Sequence, residues 1–141
     1  MNNDQTMKDI LLSANTIASV GLSSSMEKES YWIVAYLMEQ GYKIIPVNPK
    51  ADEILGVKVY KSLSDIPDKV DVVQVFRKPE DVPPVVEEAI TIGAKVVWMQ
   101  EGIVNEEAAK TARDAGLQVV MDACMRATHK RLGIGPKPTQ L

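Results

Sequence analysis

The chain has little from which to build a metal centre, a disulfide framework or a membrane anchor. Its 141 residues include one cysteine and one histidine. Cys124 has no internal partner for a disulfide, and Cys124 with His129 falls short of the four ligands that a structural zinc site takes. So few thiols fit a reducing compartment, and a cytoplasmic location is the expectation. No apolar run approaches the roughly 18 residues of a membrane-spanning helix. The opening MNNDQTMKD is polar, unlike a secretory leader. Positive charge is not in excess either: 16 Lys and Arg stand against 19 Asp and Glu, a net charge of -3. Backbone-directed binding of nucleic acid rests on a basic stripe, and the pairs Arg77-Lys78 and Lys130-Arg131 are too short to form one. Internal repeats, low-complexity tracts and linkers are also missing. The length suits one domain around one core, so the expectation is a single domain over 1–141 with a flexible tail from 133.

What is present is a rhythm. Five apolar stretches end in small or polar residues: TIASVGLSSS (16–25), KIIPVNPK (43–50), DVVQVFRK (71–78), AKVVWMQEG (94–102) and LQVVMDACM (117–125). Near-continuous apolar strands separated by crossover-length segments are the pattern of a parallel sheet covered on both faces. The expected fold is α/β: a three-layer, Rossmann-like, doubly wound parallel sheet of five strands, most simply ordered 3-2-1-4-5.

The segments between strands read as follows. A short leading helix over 4–13 turns Ile10 and Leu11 inward. The first crossover helix starts near Ser24–Lys28, where Ser24 and Glu27 have capping-box spacing, and ends before Gly41. Trp32, Ile33, Tyr36 and Leu37 share one face of it, which makes Trp32 a core residue. Pro46 removes an N–H from the second strand, which argues against a fully bonded central position or implies a bulge. The stretch 51–67 reads as an extended connection with one short turn. A second helix covers 80–92, with Pro79 near its start. A third is capped by Asn105, and a last short one runs from Cys124 to Leu132.

Ligands of doubly wound sheets sit at the carboxyl ends of the strands. The topology gathers there Gly21 to Ser25, Asn48-Pro49-Lys50, Phe76-Arg77-Lys78, Gln100-Glu101-Gly102 and Asp122-Ala123-Cys124. The first of these loops leads into a helix amino terminus, where exposed N–H groups and serine hydroxyls suit a phosphate. Lys28, Lys50, Arg77 or Lys78 could add positive charge. Of a full GxGxxG fingerprint only Gly21 is kept, and the acidic residue that holds an adenosine ribose is replaced by Asn48-Pro49-Lys50. A lysine there favours a phosphorylated adenosine over NAD. No pair of carboxylates is placed for acid–base work, and His129 reads as a structural residue. Cys124 could be a reactive thiol near a helix start or a small buried hydrophobe.

The segments VGLSSS (20–25), GYKIIPVNPKADEILGVKVYKSLSDIP (41–67), DVVQVFRKPEDVP (71–83) and VVWMQEGIVNEEAAKTARDAGLQVVMDACM (96–125) together resemble the small, single-domain CoA-binding protein family. That family is itself similar to the CoA-binding N-terminal domain of the succinyl-CoA synthetase alpha subunit. The resemblance implies a Rossmann-like domain that binds coenzyme A or an acyl-CoA. Gly21, Ser23 and Ser24 would lie against the pyrophosphate, with Lys28 adding charge. Asn48, Pro49 and Lys50 would line the adenosine-phosphate side, and Val75, Phe76 and Arg77 the wall after the third strand. Gln100, Glu101 and Gly102 would border the opposite side.

The chain departs from the synthetase domain in two places. Serines stand where that domain has a second glycine, and Phe76-Arg77-Lys78 replaces its proline-rich wall. His129 is not the counterpart of the synthetase's catalytic histidine. The expectation is therefore a non-catalytic CoA or acyl-CoA binder. The alternatives are a thiol-exchange or redox protein using Cys124 with CoA and, further off, an NAD-binding domain. The partner is a small nucleotide ligand rather than nucleic acid or membrane. The helix carrying Tyr31 and Tyr36, or an open sheet edge, could pair two copies as a homodimer.

Overall fold

The computed structural model describes residues 2–138. In chain order it contains α1 (Asp4–Ser13), β1 (Thr16–Val20), α2 (Glu29–Glu39), β2 (Lys43–Val47), β3 (Glu53–Ile54), β4 (Val57–Lys58), β5 (Val72–Val75), α3 (Val82–Thr91), β6 (Val96–Met99), α4 (Glu106–Asp114), β7 (Gln118–Val120) and α5 (Met125–Arg131). β1, β2, β5, β6 and β7 form one parallel sheet, and β3 and β4 form a separate hairpin.

Strand residues alternate between two apolar layers. Ala18, Val20, Ile45, Val47, Val73, Val75, Val97 and Met99 pack with residues of α3 and α4. Ile17, Ile44, Val72, Val96, Trp98 and Val120 pack with residues of α1, α2 and α5. Both faces are thus covered, which is why the strands read as unbroken hydrophobic runs. This is the three-layer, five-stranded Rossmann-like arrangement expected from the sequence.

The strand order needs correction. It is β2-β1-β5-β6-β7, or 2-1-3-4-5 in terms of the five sheet strands, rather than 3-2-1-4-5. Tyr60 explains the difference. Its N–H donates to the Pro46 carbonyl at 3.0 Å and its carbonyl accepts from the Asn48 N–H at 3.0 Å, so the connection itself occupies the outer edge of β2. The third sheet strand therefore pairs with β1 on its other side. Pro46 agrees with this placement. In an extended strand a residue's N and C=O point to the same side, so its missing N–H faces outward and the β1–β2 ladder loses nothing.

Other expectations are also revised. The stretch 51–67 holds the β3–β4 hairpin, turned by Leu55 and Gly56 at φ of 54° and 74°, and a 3-10 turn at Leu63–Asp65. Two successive positive φ values are what a two-residue hairpin turn requires. α2 begins at Glu29, and the Ser24/Glu27 capping box does not form. Instead the hydroxyls of Ser23 and Ser25 accept from the N–H groups of Ser25 and Glu27 and hold an irregular loop. The buried face of α2 is Ile33, Val34 and Leu37, and Trp32 is 47% exposed. The run YWIVAYL is apolar around the whole helix, so periodicity could not select its inner face. The indole N–H of Trp32 is satisfied at the surface by the Met26 carbonyl, at 2.7 Å.

Residues 133–138 lie against the body of the domain. The Lys137 N–H donates to the Gln40 carbonyl at 2.8 Å, and Ile134 packs against the core layer of α1, α2 and α5. Residues 139–141 lie outside the described residues. The leading helix is as expected, with Ile10 and Leu11 buried; the structure adds Asn3 as its N-cap. Asn105 caps α4, its side-chain oxygen accepting from the Ala108 N–H at 2.9 Å. Among the described residues no helix is long and apolar enough to cross a membrane.

Candidate functional site

With the order 2-1-3-4-5, the chain leaves the sheet in opposite directions after β1 and β5, and the crevice opens between their carboxyl ends. Gly21 follows β1 with φ of 86°. A Cβ at that position would stand 3.0 Å from the Phe76 carbonyl oxygen, 3.2 Å from its carbon and 3.3 Å from Cδ of Arg77. The close approach of the two strand ends therefore demands glycine. Asn48 fastens the neighbouring loop: its side-chain amide donates to the Leu22 carbonyl at 2.9 Å, and its oxygen accepts from the Lys50 N–H at 2.8 Å.

A cavity of about 420 Å³ lies at this point, lined by Gly21, Ser23, Lys28, Glu29, Ser30, Ile33, Phe76, Gln100, Glu101, Ile103 and Cys124. Lys28 is the N-cap of α2 and makes no side-chain capping bond. The first N–H groups of a helix have no intrahelical acceptor. The start of α2 therefore presents donors and the positive end of its dipole, with the Lys28 ammonium, to the cavity. The N–H groups of Gly21 and Ser23 are already engaged, by the Val47 carbonyl and by Oγ of Ser30. These two residues shape the turn, and the N–H groups left open at the cavity are those at the start of α2. Of the two carboxylates at the wall, Glu29 is paired with Arg126 at 3.4 Å, and Glu101 stands across the sheet at the end of β6.

The expected site residues divide into three groups. Gly21, Ser23, Lys28, Phe76, Gln100, Glu101 and Cys124 come together around the cavity. Arg77 lies at the rim, its aliphatic stem over Gly21. Ser24, Pro49, Lys50 and Gly102 are exposed beside the cavity without lining it, and Asn48 acts as the loop clamp. Gly102 is held by Asp122, whose carboxylate accepts its N–H at 2.6 Å from a left-handed backbone position.

Val75 is a correction. It is fully buried against the α3–α4 layer, because it alternates away from the layer that Gln74 faces, so its side chain forms no ligand wall. Glu29, Ser30, Ile33 and Ile103 line the cavity and were missed. α2 begins at Glu29 rather than near 24–28, and this start brings Glu29, Ser30 and Ile33 to the cavity.

His129 is 1% exposed. Its Nδ1 lies 2.7 Å from the Tyr36 hydroxyl, and burial lowers its pKa from the ordinary value of 6.5. It lies on α5, packed against Tyr36 of α2 and Tyr42, and does not line the cavity. Among the described residues no cluster of His, Cys, Asp and Glu could hold a metal.

A larger groove, about 820 Å³, opens at the other end of the sheet beside Leu12, Gln40, Gly41 and Lys137. It is bounded by the carboxyl ends of α1 and α2, whose dipoles oppose an anion.

The family model described as "CoA binding domain" matches residues 15–130. The chain belongs to this family. It is 43% identical over 123 residues to the uncharacterized protein YneT of Bacillus subtilis, covering 87% of this chain and 91% of that one. A solved structure of a hypothetical protein from Pyrococcus horikoshii superposes with a TM-score of 0.90 at 46% identity, over 93% of this chain and 92% of that one. Acetate–CoA ligase [ADP-forming] II of Archaeoglobus fulgidus is 36% identical over 113 residues. That match takes in 77% of this chain but 17% of the ligase. The domain is therefore related to the CoA-binding part of ADP-forming acyl-CoA synthetases.

Proposed function

We propose that the chain binds coenzyme A or an acyl-CoA in the cavity between β1 and β5 and does so without catalysis. The observation that carries this reading is the uncapped amino terminus of α2, with Lys28, opening into a crevice at the topological switch point of a CoA-binding-family domain. The pyrophosphate would lie against α2 and the Gly21 turn. Lys50, beyond the β2 end, would take the 3′-phosphate side, and Arg77 would cover the turn. The pantetheine arm would then run the other way along the strand ends, over β6 toward Glu101 and Cys124. Glu101 disfavours a phosphate at that end, which supports this polarity. The finer likeness, to the domain of the succinyl-CoA synthetase alpha subunit, belongs to the same proposal.

Calorimetric titration with CoA, 3′-dephospho-CoA and NAD tests the reading. The expected order is CoA tightest, 3′-dephospho-CoA weaker and NAD weakest. A folded sample that takes up no CoA at high micromolar ligand would sink it.

A second reading is favoured by one observation: Cys124 lines the same cavity. Its thiolate could attack a CoA disulfide. The S–S bond of the disulfide breaks, a Cys124–S–S–CoA bond forms, and one CoA thiolate leaves and takes up a proton. Intact mass spectrometry after incubation with CoA disulfide would then reveal one CoA adduct that Cys124→Ser abolishes. An unmodified protein rules the exchange out.

A further inference from the structure

Three buried polar side chains stand in a line behind the cavity. Ser19 of β1 and Gln74 of β5 are 0% exposed, and Gln100 after β6 is 4% exposed. Oγ of Ser19 lies 2.7 Å from Oε1 of Gln74, and Nε2 of Gln74 lies 3.2 Å from Oε1 of Gln100. The same Gln100 oxygen accepts the backbone N–H of Met125 at 3.0 Å.

The polarity of this line is forced. A backbone N–H can only donate, so Gln100 must present its oxygen to Met125. Gln74 must then present its NH2 to Gln100 and its oxygen to Ser19, whose hydroxyl donates. The Gln100 amide cannot flip without setting donor against donor. Its Nε2 has no hydrogen-bond partner among the described residues and is not a sealed orphan, the only buried unpartnered side-chain atom found there being Nε2 of His129. Gln100 lines the cavity. Its two remaining N–H donors are therefore held toward the ligand space.

We propose that Gln100 is a specificity-determining residue that donates from Nε2 to a carbonyl oxygen of the ligand's pantetheine arm, an amide or the acyl thioester, and that Gln74 and Ser19 are positioning residues that fix its orientation. The inference rests on the CoA reading. Two strand spacings separate β1 from β6, about 10 Å. With the phosphates at the β1 turn, the part of the ligand over β6 is the uncharged arm. A buried, neutral, oriented donor matches a neutral acceptor there. A site built to hydrogen-bond such a group discriminates against ligands that lack it.

The test compares CoA, acetyl-CoA and 3′-phosphoadenosine 5′-phosphate, which lacks the arm, on the wild-type protein and on Gln100→Met and Gln74→Leu. Gln100→Met should weaken acetyl-CoA roughly tenfold, the scale of one lost hydrogen bond, while leaving the head-group ligand within about twofold. Gln74→Leu should weaken acetyl-CoA in the same selective way but less. A larger loss for acetyl-CoA than for CoA would assign the donor to the thioester carbonyl, and an equal loss to an arm amide. Equal losses for acetyl-CoA and the head group, or none for either, would overturn the proposal. If the variants do not fold, the Gln100 side-chain NH2 signals of the ¹⁵N-labelled wild type decide. They should shift with acetyl-CoA and not with the head group, and unchanged signals overturn the proposal. A wild-type protein that binds the head group but gains nothing from the arm refutes this inference alone. One that binds neither ligand refutes the CoA reading as well.

Discussion

Replacing Gly21 with alanine perturbs both the fold and the crevice, and the structure sets the size of the effect. The backbone there has φ of 86°, a left-handed conformation that costs an L-residue roughly 1–2 kcal/mol. The new Cβ would also meet the Phe76 carbonyl oxygen at 3.0 Å and its carbon at 3.2 Å. Those atoms belong to the backbone that leaves β5, and the Phe76 N–H is bonded to Val20 at 2.8 Å, so they cannot swing aside as a side-chain tip would. Relieving such an overlap costs about 1–3 kcal/mol. The expected total is about 3 kcal/mol, or a melting point lower by roughly 10 °C for a chain of this size.

Gly116→Ala is the control. Gly116 has φ of 92°, but nothing stands within 4 Å of its would-be Cβ. It should show only the conformational part. Paired denaturant melts of the two variants read the difference directly. Gly21→Ala should also weaken CoA binding more than tenfold, since the β1 and β5 ends bound the cavity, and Gly116→Ala should not. Equal destabilisation by the two substitutions, with unchanged CoA affinity, would refute the claim that close approach of the strand ends builds the site.

Acid should destabilise the protein in two windows. Burial lowers the pKa of His129 from 6.5, so the unfolded chain takes up a proton that the folded one refuses; stability is complete above 6.5 and falls as pH drops below it, and His129→Gln should flatten that part of the pH–stability curve. Burial raises the pKa of Asp71, but the N–H groups of Thr16 and Asn15, with Lys95 and Lys69, outweigh it and hold it below 3.8; its contribution is present above 3.8 and lost as pH falls further, which urea melts of Asp71→Asn would register as a missing acid limb. Asn105→Ala removes the cap of α4 and the bond from its amide to the Pro79 carbonyl, and should cost about 1 kcal/mol by chemical denaturation. Pro46→Val should leave the β1–β2 ladder intact, because the restored N–H points away from it; faster hydrogen exchange of the β1–β2 ladder amides in the variant would contradict the edge assignment of β2.

The sequence by itself determined the class of fold and the edge of the sheet that carries the crevice. Both follow from local patterns: apolar runs of strand length, crossover-length spacers, and glycine or polar residues where each strand ends. The cap at Asn105 and the inward turn of Ile10 and Leu11 were equally legible. Tertiary structure decided what depends on contacts between distant segments. The strand order turned on Tyr60 occupying the outer edge of β2, and Pro46 was a local sign of that edge which the simplest topology overrode. The inner face of α2 was settled by packing, since an apolar run offers no preferred side. The docking of 133–138 depended on the Gln40 carbonyl, far away in sequence. The orientation of Gln100 was decided by a backbone N–H on another element, because hydrogen-bond polarity is a property of the assembled network and no single residue type encodes it.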